Sequence, residues 1–286
     1  MAEPGPVPVF WGNQKWIIDE SGALVPGDAL KAGDPGWQDY AGVQGVSADL
    51  AASSHPDRLF RTQLQDQIVR RTVAGLEKYQ DGTSHCILTH GGIASGKTSA
   101  VDAFLEANER KEYLRIDFDR VKQQLPEFVH MKAAGLKHAA TFVQSESAKI
   151  AGRILKKAIN QRCSIIYEGS LLKVDSISER IRAMKKKEYI VTVVSTHVTE
   201  PTGQLRAAKR YEEGGRYVPP DVVSETYKKC PAALVQLKSL VDVVLLVNNE
   251  TKAAPMILTK RDSAQVLDND LYEQYLQCVG RENCLK

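Results

Sequence analysis

Eight consecutive residues, Gly91-Gly92-Ile93-Ala94-Ser95-Gly96-Lys97-Thr98, spell out the plainest chemistry in this chain. They fit G-x-x-x-x-G-K-[ST], a loop whose successive backbone N–H groups wrap the phosphates of a nucleotide. Gly91 and Gly96 allow the tight curl without a clashing Cβ. Lys97 is expected to set its ammonium against the β- and γ-phosphates, and the Thr98 hydroxyl to join the shell of a Mg²⁺ ion. Ser99 completes the expected ATP-binding segment, Gly91 to Ser99, as the chain enters a helix.

Three further groups of residues suit phosphoryl transfer. Asp117 and Asp119 stand two apart in Ile116-Asp-Phe-Asp119. Either carboxylate could accept a proton, and either could cap a helix. Glu168 and Ser170 flank Gly169, where backbone can approach a ligand closely. Glu168 suits a substrate hydroxyl or a metal-bound water. Arg206 and Arg210 are four apart, and Arg216 follows Gly214-Gly215 ahead of Val218-Pro-Pro220. Arginines between glycines and a rigid proline pair suggest a lid that brings planar donor forks to migrating phosphoryl oxygens.

These residues need a frame that delivers them to one edge. Cys86–Thr89 reads as a buried strand leading into the loop, and Lys97–Glu106 as the helix after it. A helix N-terminus there adds partial positive charge facing the phosphates. Tyr113–Ile116, Ser164–Tyr167, Tyr189–Ser195 and Val241–Val247 read as further strands. Pro56–Tyr79, Ala139–Asn160 and Ser176–Lys186 read as helices, the last ending in lysines that complement its C-terminus. Strands alternating with helices predict an α/β fold, a mainly parallel sheet flanked by helices, with function gathered beyond the carboxyl ends of the strands. Met256–Thr259 is expected to pair with the last of these strands, and Trp16–Val25 to form a hairpin turning at Glu20–Gly22.

Composition sets the wider limits. The 286 residues, 43% hydrophobic and 26% charged, match an ordinary soluble protein and contain no run long enough for a membrane span. Five scattered cysteines without C-x-x-C pairs suggest free thiols in a reducing, cytoplasmic setting. Residues 1–50 carry seven carboxylates against two lysines, so they are net −5, and the rest of a +3 chain is +8. That leader also holds all three tryptophans, which implies packing rather than a flexible linker. The predicted organisation is an acidic N-terminal extension over 1–55, a catalytic domain over 56–265 and a tail over 266–286.

The loop, Ile116-Asp-Phe-Asp119 with Lys122-Gln-Gln-Leu-Pro-Glu-Phe128, Tyr167-Glu-Gly-Ser170 and Lys209-Arg-Tyr-Glu212 together resemble the bacterial zeta toxin family of small-molecule kinases. The resemblance runs from about Leu59 to Lys260 and implies a P-loop kinase-type sheet. It implies that Asp119 takes the proton from a sugar hydroxyl while Lys97, Arg210 and Arg216 bind phosphates. Asp117, Glu146, Glu168 and Ser170 are the candidate substrate contacts. The implied acceptor is a nucleotide or a nucleotide sugar such as UDP-N-acetylglucosamine, and an inhibitor protein is a possible partner. The resemblance also departs from its pattern: Ser stands at 170 where Thr is more usual, and Arg210 and Arg216 are closely spaced. A polynucleotide or NAD kinase shares the loop-and-base logic, although the body lacks the basic, aromatic track a nucleic acid strand would want. A non-catalytic ATP-binding protein is the reading from another class, disfavoured by the joint presence of Lys97, Thr98, Asp119, Glu168 and Arg210.

Overall fold

A computed structural model of the chain describes residues 58–80, 82–107, 112–133, 139–214 and 217–250, and five short strands outside these ranges. Near the N-terminus, β1 (Val9–Trp11), β2 (Gln14–Ile18) and β3 (Leu24–Pro26) form an antiparallel sheet. Ile18 lies opposite Leu24, so the hairpin expected across Trp16–Val25 is present. The side chains of Trp11, Trp16 and Trp37, together with Arg216, Cys278, Cys284 and residues 267–286, lie outside the described residues.

The chain divides into two compact units, one from residues 1–74, 118–154 and 211–217, the other from 75–117, 155–210 and 218–286. Beyond the three short strands, the first is helical where described. It holds α1 (Arg58–Thr72), and after the helix α2 (Lys97–Ala107) of the other unit come α3 (Phe118–Lys122), α4 (Pro126–Ala133) and α5 (Ala139–Phe142). The long α6 (Gln144–Asn160) buries Ile150, Ala151, Ile154, Leu155, Ala158 and Ile159, the stripe its 3.6-residue period predicts. The single helix expected over Pro56–Tyr79 is broken: a turn at 73–75 ends α1, and Leu76–Tyr79 forms a short 3₁₀ turn.

The second unit is built on the sheet. Five parallel strands, β4 (His85–Gly91), β5 (Leu114–Ile116), β6 (Ile165–Tyr167), β7 (Ile190–His197) and β8 (Val243–Asn248), lie in the order β5-β6-β4-β7-β8. By chain position that order is 2-3-1-4-5. Two antiparallel strands extend it, β9 (Met256–Arg261) beside β8 and β10 (Ser263–Val266) beside β9, which places the expected late hairpin. Its remaining helices are α7 (Val174–Lys185), α8 (Glu200–Gly214) and α9 (Pro220–Leu237). The central strands are buried on both faces, so burial runs unbroken through Cys86–Gly91 of β4 and Val191–Thr196 of β7 and takes in Thr89, His90, Thr192 and Ser195 as well as the apolar side chains. On one face Ala100, Val101, Phe104 and Leu105 of α2 pack over Ile87, Ile166, Val194 and Leu245. Cys86, Cys163 and Cys230 are buried free thiols, and no helix among the described residues is long and apolar enough to cross a membrane.

The lysine run after α7 has one specific task. Lys185 Nζ bonds both carboxylate oxygens of Asp242 at 2.6 and 2.7 Å, and the Val191 N–H donates to the same group at 2.8 Å. Partial burial pushes the Asp242 carboxyl up, but the Lys185 and Val191 bonds outweigh it and hold the group below the usual carboxylate value. Such a carboxylate stabilises the fold above its unfolded pKa of about 3.9, and that stability is lost as pH falls through the lowered native value. Asp242→Asn should reduce unfolding free energy at pH 7 by about 1 kcal/mol, a figure already discounted for solvent exposure. The deficit should shrink at pH 3, and urea melts at the two pH values check both statements.

Candidate active site

The loop begins where β4 ends and returns into α2. Gly91 has φ 133° and Gly96 φ 83°, both in the left-handed half of the map, where a Cβ is strained. Space forbids a side chain as firmly as the dihedrals do, because a Cβ on Gly91 would stand 2.5 Å from the Thr196 carbonyl oxygen. Within the loop, Ser95 Oγ donates to Gly92 O at 2.8 Å and lies 2.6 Å from Thr196 Oγ1 at the end of β7. Lys97 Nζ bonds Gly92 O at 2.7 Å and Gly91 O at 3.2 Å, folding its ammonium over the loop. Below it, on β4, His90 is fully buried with Nδ1 2.9 Å from Ser195 Oγ. Burial first, then the Lys97 charge, push its imidazole down to about 3, so it stays neutral and leaves Lys97 as the cation of this turn.

Parallel pairing carries the next group to the loop's flank. Leu88 of β4 pairs with Tyr167 of β6, so Glu168 leaves the sheet beside the start of α2. The Thr98 hydroxyl donates to Glu168 Oε2 at 2.9 Å. Arg115 on β5 contacts Glu168 Oε1 at 3.1 Å and bonds Asp102 of α2 with its other nitrogen. Burial raises the Glu168 carboxyl above its ordinary value; the Thr98 bond opposes this, Asp117 adds to it and Arg115 opposes it. The turn after β6 is held by Thr89, whose hydroxyl accepts from Gly169 N–H at 2.9 Å and lies 3.1 Å from Gly169 O. Ser170 follows, half-buried.

In the helical unit, Asp119 stands in the first turn of α3 with Oδ1 3.4 Å from Lys122 Nζ. Glu146 is fully buried and accepts from Gln65 Nε2 at 2.8 Å, inside that unit. Arg210 is exposed on α8. Arg206, one turn earlier, donates to the carbonyls of Asn249 and Glu250 at 3.0 and 3.3 Å, so it holds the turn after β8. Asn249 in turn donates to Ser95 O at 2.8 Å. Arg115 and Thr89 carry no motif that marks them, and only the strand register reveals their neighbours.

Among the described residues no group of three or more His, Cys, Asp or Glu side chains could hold a metal ion. The Thr98 hydroxyl and Glu168 carboxylate are hard oxygen donors, the kind Mg²⁺ takes in small number beside phosphate and water oxygens. The residues fit that ion.

The zeta toxin family model matches residues 72–271, most of the chain. The chain belongs to the zeta toxin family. No curated protein sequence matched it. Among solved structures, the zeta toxin fold seen here is similar to one from the PezAT chromosomal toxin–antitoxin system of Streptococcus pneumoniae. The TM-score is 0.57 at 17% identity, over 78% of this chain and 94% of that one. It is also similar to a native AvrRxo1-ORF1:-ORF2 complex (TM-score 0.58, 20% identity, 77% and 73% covered). A third likeness is to an AvrRxo1-ORF1:-ORF2 structure with ATP (TM-score 0.55, 17% identity, 78% and 77% covered). These are likenesses of fold, and the parallel P-loop kinase-type sheet is what they share with this zeta toxin family member.

Arg115 is the testable hinge of the flank. Arg115→Met leaves the carboxylates of Asp102 and Glu168 without their shared cation and should destabilise the fold by about 1–3 kcal/mol. It should also move the Glu168 carboxyl further up, because a lowering influence is removed. Carboxyl ¹³C NMR titration of Glu168 in both proteins checks the direction of that move.

Proposed function

We propose that the chain is an ATP-dependent kinase that phosphorylates a hydroxyl of a nucleotide sugar or nucleotide-like molecule, with a UDP-N-acetylglucosamine-like acceptor favoured. The observation that carries this reading is the Thr98–Glu168 pair beside a lysine folded over the loop, in a chain of the zeta toxin family. Residues Gly91 to Ser99 cradle the ATP phosphates. Thr98, with Glu168 beside it, would hold Mg²⁺, and that ion would supply charge neutralisation at the phosphates when bound. Asp119, oriented by Lys122, accepts the acceptor's hydroxyl proton. The acceptor oxygen forms its bond to the γ-phosphorus as the bond from that phosphorus to the β–γ bridging oxygen breaks, and ADP leaves. Lys97, Arg210 and Arg216 stabilise the oxygens of the group in transit. Asp117, Glu168, Ser170 and Glu146 belong to acceptor binding in this reading, Glu146 through the packing it sets with Gln65.

The fold likeness to a structure holding ATP supports ATP as the phosphoryl donor. The likeness to a toxin–antitoxin system supports a separate inhibitor protein as partner. Nucleotide acceptors and buried free thiols both suit a cytoplasmic location.

Incubation with ATP and Mg²⁺ in a metabolite extract should yield one ion heavier by a single phosphate in mass spectrometry, and an extract with no such ion refutes the kinase. Asp119→Ala should keep ATP affinity while kcat falls about 10²–10⁴-fold, whereas Lys97→Ala should weaken both. Near-normal kcat in Asp119→Ala would remove the base from this residue. Arg210→Lys should already slow transfer by on the order of 10-fold or more, since a point charge cannot reproduce the two-pronged fork; full activity in that variant would make Arg210 a surface residue.

A further inference from the structure

The middle of the phosphate loop is gripped by a helix that the chemistry above does not use. Ile93 N–H donates to Thr226 Oγ1 at 3.1 Å, and Ile93 O accepts from Tyr227 OH at 2.8 Å. The Thr226 hydroxyl spends its own proton on Val223 O at 2.7 Å, which leaves its lone pairs facing the loop. Successive residues of α9 thus satisfy both polar groups of one loop residue.

The ring of Tyr227 lies in a slot between two glycines. A Cβ on Gly92 of the loop would stand 2.5 Å from the ring, and one on Gly203 of α8 would stand 2.3 Å from the Tyr227 hydroxyl oxygen. Tyr227 therefore touches the loop on one side and α8 on the other. Burial pushes its phenol up, so it remains a neutral donor at any working pH.

A second grip comes from the turn after β8. Asn249 Nδ2 donates to Ser95 O at 2.8 Å and fills the space where a Gly96 side chain would begin. That turn is fastened to α8 twice. Arg206 bonds its carbonyls, and the Glu250 carboxylate caps the start of α8 through Thr199 N–H at 2.8 Å and the Thr199 and Thr202 hydroxyls. Both grips on the loop therefore end on the helix that carries Arg210.

We propose that Tyr227 and Asn249 are positioning residues that fasten the phosphate loop to α8, so that loop and arginine helix are seated as one piece. The fastening itself is a property of the fold; its effect on turnover rests on the kinase reading. Loosening the loop weakens nucleotide binding, and loosening α8 slows transfer.

Tyr227→Phe keeps the ring and removes the bond to Ile93, Asn249→Ala removes the other grip, and Lys229→Ala, an exposed change on the same face-to-solvent pair with Glu225, is the control. Hydrogen–deuterium exchange is read on peptides covering 92–96, 200–206 and 190–197, with KM for ATP and kcat measured alongside. Each of the first two variants should speed exchange at 92–96 and at 200–206 together by about 3- to 10-fold, the worth of one hydrogen bond, with 190–197 unchanged. KM for ATP should rise by a similar factor in Tyr227→Phe, with a smaller change in kcat. Gly203→Ala, which presses on the ring from the α8 side, should speed exchange at 92–96 as well. Unchanged loop exchange in both variants, or faster exchange confined to the loop with 200–206 unmoved, overturns the proposal. If the unaltered chain transfers no phosphate, the kinase reading falls while the exchange data still decide the fastening.

Discussion

The constraint on which the rest depends is the accounting of carbonyl groups in the segment 91–96. A loop that turns its N–H groups toward an anion must turn its carbonyls away, into protein, where each needs a donor. Gly91 O and Gly92 O take Lys97, and Gly92 O also takes Ser95 Oγ. Ile93 O takes Tyr227, Ser95 O takes Asn249, and Gly96 O takes the N–H of Ala100 in the first turn of α2. The donors come from the loop itself, from α2, from α9 and from the turn after β8. A short glycine-rich sequence is therefore stable in this shape only because the helix it leads into and two distant stretches of chain, α9 and the turn after β8, supply donors to it.

Parallel strand order is what makes that convergence possible. With β4 at the centre, the strands on either side end at the same edge, and the register fixes which residue meets which. Gly91 opposite Thr196 brings a hydroxyl to Ser95, Leu88 opposite Tyr167 brings Glu168 to Thr98, and His197 opposite Asn248 delivers Asn249 to the loop. Slipping one strand by one residue would turn each of these side chains to the other face of the sheet. Register is in turn secured by burial of both faces of β4 and β7, where an apolar side chain has no exposed alternative. Site geometry and core packing are the same specification here.

Much of this could be read from local pattern. The loop, the strand before it, the helix after it and the alternation that follows all rest on contiguous residues, and the mainly parallel sheet they imply is present, while the order of its strands was not legible. What escaped was of two kinds. The helix Pro220–Leu237 contains Pro231, which argues against a helix interior, although Pro220 and Asp221 suit its first turn. Without that helix Thr226 and Tyr227 have no address. The second kind is partnership across the sheet. Arg206 looked like a lid residue from its spacing to Arg210, yet it serves the carbonyls of Asn249 and Glu250. One arginine in a cluster can be consumed by backbone while its neighbour stays exposed, and spacing along a helix does not distinguish them.

The charges around the loop form a polarised arrangement. On one side stand Lys97 and the N-terminus of α2, with His90 kept neutral beneath them, so positive potential is concentrated at the loop. On the other side Glu168 and Asp117 lie close enough for each to feel the other's charge, and Arg115 is divided between Glu168 and Asp102. Burial is the main reason Glu168 is held above its usual value, and the neighbouring carboxylates of Asp117 and Asp102, with one guanidinium among the three, add to it. A divalent cation at the Thr98–Glu168 oxygens would relieve that strain, and its ligation would draw the Glu168 carboxyl back down. Affinity for the cation and ionisation of Glu168 are therefore linked: acidification should weaken metal binding earlier than an ordinary glutamate would allow, and the metal should stabilise the fold most where Glu168 is fully ionised and less as the carboxyl protonates.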